Sequence, residues 1–175
     1  MKLQQFVLDI YTLRLKEAER AVDGLTPEQL NWMPKPESNS IGWLIWHAAR
    51  SQDRMISDVF GEDQLWVREG WHNKFNRPPD QNDTGFGHTP AQVAAFRAPD
   101  AQALVDYARA VFERTKTYIT TRLNEEDLER QVKSPTLGST STVEHRLLMT
   151  IGDLQHIGQA GYVRGLQSGI GWYGK

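Results

Sequence analysis

Two histidines interrupt long apolar helical runs, and their placement raises the question of chemistry. "SIGWLIWHAARSQDR" carries His47 and "IGDLQHIGQAGYVRGL" carries His156. On a helical wheel His156 shares a stripe with Met149, Gly152, Asp153, Gln159, Ala160 and Val163, beside the apolar face rather than opposite it. His47 shares its stripe with Trp43, Arg50 and Arg54, beside Leu44 and Ala48. Both imidazoles are thus expected to point inward from different helices, and the interior of a helical bundle is where facing side chains build metal sites. The plainer alternative is that each is a buried neutral imidazole hydrogen-bonded to a neighbour.

Composition narrows the chemistry. The chain has 175 residues and no Cys. A disulfide framework, a thiolate metal site and a cysteine nucleophile are therefore all excluded, and a metal would need imidazole, carboxylate or water ligands. A formal net charge of −2 lacks the Lys and Arg excess that neutralises nucleic-acid phosphates, so nucleic acid is not an expected partner. The opening "MKLQQFVLDIYTLRLKEAER" mixes acidic and basic residues and no window approaches eighteen apolar residues, which argues against export or a membrane span and for a cytoplasmic setting.

The elements that must position the histidines follow from periodicity. Leu3, Phe6, Val7, Ile10, Leu13, Ala18, Ala21, Val22 and Leu25 recur at helical spacing and predict a first long helix. "TPEQ" at 26–29 and "TPAQ" at 89–92 each supply a Thr cap, Pro at the first helical position and Gln to close a capping box, so each starts a short helix. Ser40 caps a second long helix that carries His47 and that Gly61 stops. A third long helix follows "APD" at 98–100 and holds Leu104, Tyr107, Val111, Phe112 and Ile119. Ser141 with Glu144 predicts a capping box for a fourth helix that runs unbroken through His156.

Between Trp66 and His88 no period appears, and the aromatics Trp66, Trp71, Phe75 and Phe86 argue for an ordered functional loop rather than disorder. No convincing strand is found. The expectation is one all-α domain over residues 1–175, with Phe6, Ile10, Leu44, Ala48, Phe112, Leu147 and Leu154 in its core.

Taken together, the helix-two histidine, the TPxQ helix start with "GHTPAQVAAFRAP", and the terminal "DLQHIGQAGYVRGL" resemble the DinB family of YfiT-like metalloenzymes, in particular its actinobacterial-type branch. The resemblance spans essentially the whole chain. It implies a four-helix bundle of up-down-down-up connectivity with short extra helices and one long loop. It also implies a homodimer and, in many members, a divalent metal such as zinc or nickel held by three histidines. His47 and His156 match two of those ligands, but the first histidine of the helix-four H-x-x-x-H pair falls on Gly152. Asp153, three residues before His156 and on nearly the same face, is the nearest replacement; His72, His88 or water are the other donors. His145 projects like His156 but lies too far along the axis to share its metal.

Two imidazoles and a carboxylate would leave an open coordination position, the catalytic rather than the structural pattern. Such a site supports a metal-dependent enzyme acting on a small-molecule substrate, by hydrolysis or by the low-molecular-weight thiol transfer of bacillithiol or mycothiol type that the resemblance implies. Trp43, Arg50 and Gln159 are the candidate substrate contacts, against the plainer alternatives of core packing for Trp43, a solvated surface position for Arg50 and a filled core gap for Gln159. No catalytic residue is singled out. The competing reading, which Gly152 favours, is a metal-free, stress-related binding or dimerisation module that keeps the bundle and has lost the site.

Overall fold

A computed structural model describes residues 2–173. Its four principal helical columns are α1 (Leu3–Val22), α3 (Ile41–Phe60), α7 (Ala101–Thr121) and the pair α9 (Val143–Gly152) and α10 (Leu154–Ser168). α1 packs on α7 and α10, and α3 packs on α7, α9 and α10, so the columns close a four-membered ring with α1 and α3 on one diagonal. The expected all-α bundle is what the chain forms.

The capping chemistry works as its residue types dictate. In α2 (Pro27–Asn31) Thr26 and Gln29 form a full capping box, and in α6 (Pro90–Ala95) Thr89 and Gln92 do the same. Ser40 accepts from the Trp43 amide to start α3, which ends at Gly61 with φ +72°. The loop expected at 66–88 contains two single-turn helices, α4 (Leu65–Arg68) and α5 (Trp71–Lys74), before turning through an irregular stretch. α8 (Glu125–Glu129) follows α7.

Three expectations are corrected. A small antiparallel hairpin, β1 (Gln131–Lys133) with β2 (Thr140–Thr142), stands where no strand was foreseen, its segments being too short to show a period. Ser141 lies in β2, so the cap of α9 is Thr142, which accepts from the His145 amide. The fourth helix is not continuous: the backbone breaks at Asp153, which ends α9 and opens α10.

The buried stripe of α1 runs Val7, Tyr11, Arg14, Ala18, about one position round from the expected face, and Phe6 is consequently 50% exposed. Ile10 and Leu154 are only partly buried, whereas Leu44, Ala48, Phe112 and Leu147 are core.

The interior is divided. One apolar cluster joins the end of α1, the first half of α3, the first half of α7 and α10, and contains Trp46, Trp66, Phe96 and Ile157. A second joins the start of α1, the last turns of α3, the second half of α7 and α9, and contains Val7, Ile56, Tyr118 and Leu147. Polar side chains cross the bundle between them. Arg14 donates to the Ala48 carbonyl (2.7 Å) and to Gln52, Gln52 donates to Thr115 (2.7 Å), and the Tyr11 hydroxyl meets Thr150. Polar groups this deep are tolerated because they satisfy one another.

Candidate functional site

His47 and His156 meet across the bundle, ring centroids 4.8 Å apart and edge to face. His47, 7% exposed, is held from two sides. Trp43, one turn earlier on α3, stacks on it at 4.8 Å. Its Nδ1 donates to the Thr84 carbonyl at 2.5 Å. A carbonyl can only accept, so the proton sits on Nδ1 and Nε2 keeps its lone pair. Burial holds this imidazole below its ordinary range, with the Thr84 carbonyl pulling the other way and His156 adding to the lowering. His47 is therefore neutral and ready to act as a ligand or base at neutral pH.

His156 is arranged in parallel fashion: its Nδ1 faces Gln159 Oε1 at 3.1 Å, which leaves Nε2 free, and its side chain keeps 25% exposure. Asp153 Oδ1 stands 3.9 Å from that Nε2. The other carboxylate oxygen, Oδ2, is buried with no hydrogen-bond partner. Asp153 occupies the helix break and its own φ/ψ of −65°/−6° stays near helical, so the i, i+3 relation to His156 survives.

The loop that delivers Thr84 is itself fastened. Asp83 is bridged by Arg77 (Nε to Oδ2, 2.8 Å) and by His88 (Nε2 to Oδ1, 2.9 Å), and the Trp43 indole N–H donates to His88 Nδ1 at 3.3 Å. Gly85 follows at φ +89°, and a Cβ there would come 2.9 Å from Trp43 and 3.0 Å from His47 Nδ1. Only glycine fits this conformation and this approach together. Gly85→Ala is accordingly expected to cost roughly 1–3 kcal/mol, read as a lowered melting temperature and as loss of the His47 contact with Thr84 in imidazole NMR. An unchanged melting temperature would show that the loop does not press on His47.

Each residue expected from the sequence can now be placed. His47, His156, Asp153, Trp43 and Gln159 lie together. Arg50 is corrected in its surroundings: it is neither solvated nor open to a ligand but fully buried, its guanidinium engaged by Gln64, Tyr107, Asp53 and the carbonyls of Gln81 and Asp83. His88 is engaged by Asp83 and the Trp43 indole, and His72 packs against Trp66 with its Nδ1 toward the Arg77 carbonyl. His145 faces solvent. The sequence reading missed Thr84 and Gly85, which no period governs. It also missed Asp53, whose fully buried carboxylate accepts from the amides of Leu65 (3.0 Å) and Trp66 (2.8 Å) and from the Tyr107 hydroxyl (2.8 Å).

The donor chemistry, two imidazoles with free Nε2 atoms and an orphaned buried carboxylate oxygen, suits a divalent cation. Among the described residues, however, no group of three or more His, Cys, Asp or Glu is gathered so as to hold an ion. The third donor has to move to complete a set. Open clefts exist elsewhere, one of about 680 Å³ near Glu62, Arg68 and Lys133 and one of about 450 Å³ between Leu13 and Gly161.

The same arrangement of helices is found in known proteins. A conserved protein from Enterococcus faecalis of known crystal structure is 32% identical, with a TM-score of 0.82 over 95% of this chain and 97% of that one. A DinB-like protein from Bacillus cereus shares the fold at 18% identity and a TM-score of 0.62, over 93% and 91% of the two chains. No curated protein matches. The sequence model of the DinB superfamily matches residues 11–160, the span that contains α3, the fastened loop and both histidines, and the chain therefore belongs to the DinB superfamily.

Proposed function

We propose that the chain is a metal-dependent enzyme that acts on a small molecule, by transfer of a low-molecular-weight thiol or by hydrolysis. The observation that carries this reading is the matched orientation of the two imidazoles, each with its Nδ1 directed to an oxygen and its Nε2 left without a hydrogen bond, beside the unpartnered Oδ2 of Asp153. Ligating histidines are oriented in this way by outer hydrogen bonds. His47, His156 and Asp153 would hold the ion, zinc or nickel, which when bound would supply Lewis acidity toward a thiol or water. Thr84 fixes the tautomer of His47, Gln159 that of His156, and Trp43 screens the His47 face from water. Placement in the actinobacterial-type branch and a cytoplasmic setting belong to the same reading.

Metal analysis of protein purified without a histidine tag tests it: about one ion per chain is the expected result, and a metal-free protein that takes up none on titration sinks it. The second reading, a binding module that has lost its metal, is favoured by Gly152 at the position of a ligand and by the absence of a ready three-donor group among the described residues. The proposal also includes a homodimer. Phe6 and Leu13 on α1, Leu148 and Met149 on α9 and Tyr162 and Leu166 on α10 are exposed on neighbouring helices, more apolar surface than solvated helix faces need. Light scattering is expected to give twice the mass of one chain, and a single-chain mass at high concentration would remove this part.

A further inference from the structure

Among the described residues, Arg54 is a buried cation that forms no ion pair. It lies on α3 two turns beyond His47 and is 7% exposed, with its Nε buried and without a hydrogen-bond partner. The carboxylates around it are engaged by other arginines: Asp53 by Arg50 and Arg114, Asp58 by Arg146 at 3.8 Å. Side chains on a helix lean toward its N-terminus, which brings the guanidinium back toward His47. Its charge is felt at His47, and the charges that it feels in turn are Arg50, Arg146, Asp58 and Asp153.

The unpartnered Nε of Arg54 and the unpartnered Oδ2 of Asp153 thus stand within charge range of each other without forming an ion pair among the described residues. Burying either without a partner is costly, and the cost at the guanidinium is recovered when an anion supplies the missing acceptors. Access is from the side on which His156 and Asp153 keep 25% and 12% exposure.

Building on the site proposed above, we propose that Arg54 anchors the carboxylate of a small monoanionic substrate, whose reacting group then lies toward His47 and His156. The planar fork of arginine matches a carboxylate through two parallel hydrogen bonds. The charges around the guanidinium cancel, Arg50 and Arg146 against Asp58 and Asp153, which leaves the single charge of Arg54 to be matched and so favours a monoanion over a dianionic phosphate.

The test uses metal-free protein titrated with acetate and, separately, with inorganic phosphate, followed through the Arg54 side-chain N–H resonance and the imidazole resonances. The wild type is expected to bind acetate more tightly than phosphate, and Arg54→Gln to lose at least tenfold in acetate affinity. Arg54→Lys keeps the charge without the fork, guards against a misfolded Gln variant, and is expected to lose severalfold. Acetate binding equal in the wild type and either folded variant overturns the proposal, as does preference for phosphate. Zinc titration of the same proteins separates this from the metal reading. Arg54→Gln should bind zinc at least as tightly as wild type, since a repelling charge is removed; zinc binding absent throughout, with acetate binding retained, overturns the metal and leaves the anion site standing.

Discussion

Stripped protein titrated with zinc is expected to bind it through His47 and His156, and His156→Ala to weaken binding by more than about 100-fold, since loss of a ligand exceeds the 10–100-fold typical of losing an outer partner. Gly152→His should act in the opposite direction. A Cβ built at Gly152 meets nothing within 4 Å, so the first atom of a larger side chain enters without displacing a neighbour. It would stand four residues before His156, across the break at Asp153, and affinity is expected to rise about tenfold or more. Asp153→Ala should fall between these variants, because the carboxylate is 3.9 Å from His156 Nε2 and must shift to share an ion. Wild-type protein that binds no zinc while Gly152→His does would hand the lead to the metal-free module. Equal affinity of wild type and His156→Ala would remove His156 from the site.

The largest effect on stability is expected at Asp53. Its carboxylate is fully buried and gathers Arg50, Tyr107, Ser57 and the first two amides of α4, so it ties α3 to α7 and to the start of the aromatic loop. Asp53→Ala leaves the Arg50 charge buried without its partner and orphans two amides, and about 3–5 kcal/mol should be lost in chemical denaturation. Asp53→Asn keeps the volume and one acceptor oxygen and should cost less. A loss below about 1 kcal/mol for Asp53→Ala would mean that Gln64 and the loop carbonyls alone satisfy Arg50. The Arg50–Asp53–Tyr107 group also explains why Arg50 cannot serve a ligand: its donors are consumed in holding Gln81 and Asp83, and hence Thr84, over His47.

The four helical columns were legible because each carries a long apolar period, and the starts of α2, α3 and α6 because their caps are local: Thr26 with Gln29, Ser40 before Trp43, Thr89 with Gln92. The convergence of His47 and His156 was legible for the same reason. Less could be read where the outcome depends on partners distant in sequence. Phe6 and Val7 are equally apolar, and only the packing of α1 against α7 and α10 decides that Val7 is buried and Phe6 exposed. Arg14 and Arg50 look like surface residues in a one-dimensional reading, yet both are buried, because the acceptors that satisfy them, Ala48, Gln52 and the 81–83 carbonyls, come from elsewhere in the chain. The break at Asp153 has a local signal, the Gly152-Asp153 pair, but the apolar period runs through it from Leu147 to Val163 and masks it.

That break falls level with the polar layer that divides the two apolar clusters, so α9 belongs to one cluster and α10 to the other. The joint between them behaves as a seam. Strain introduced on one side has no continuous column of close-packed side chains along which to spread, and must cross directional bonds such as Arg14 to Gln52 or Tyr11 to Thr150. The two halves can then open as separate cooperative units, with amide exchange slow within each and distinct between them. His47, Asp153 and His156 stand at that seam, where a motion of half a molecule is felt as a change of distance between three side chains.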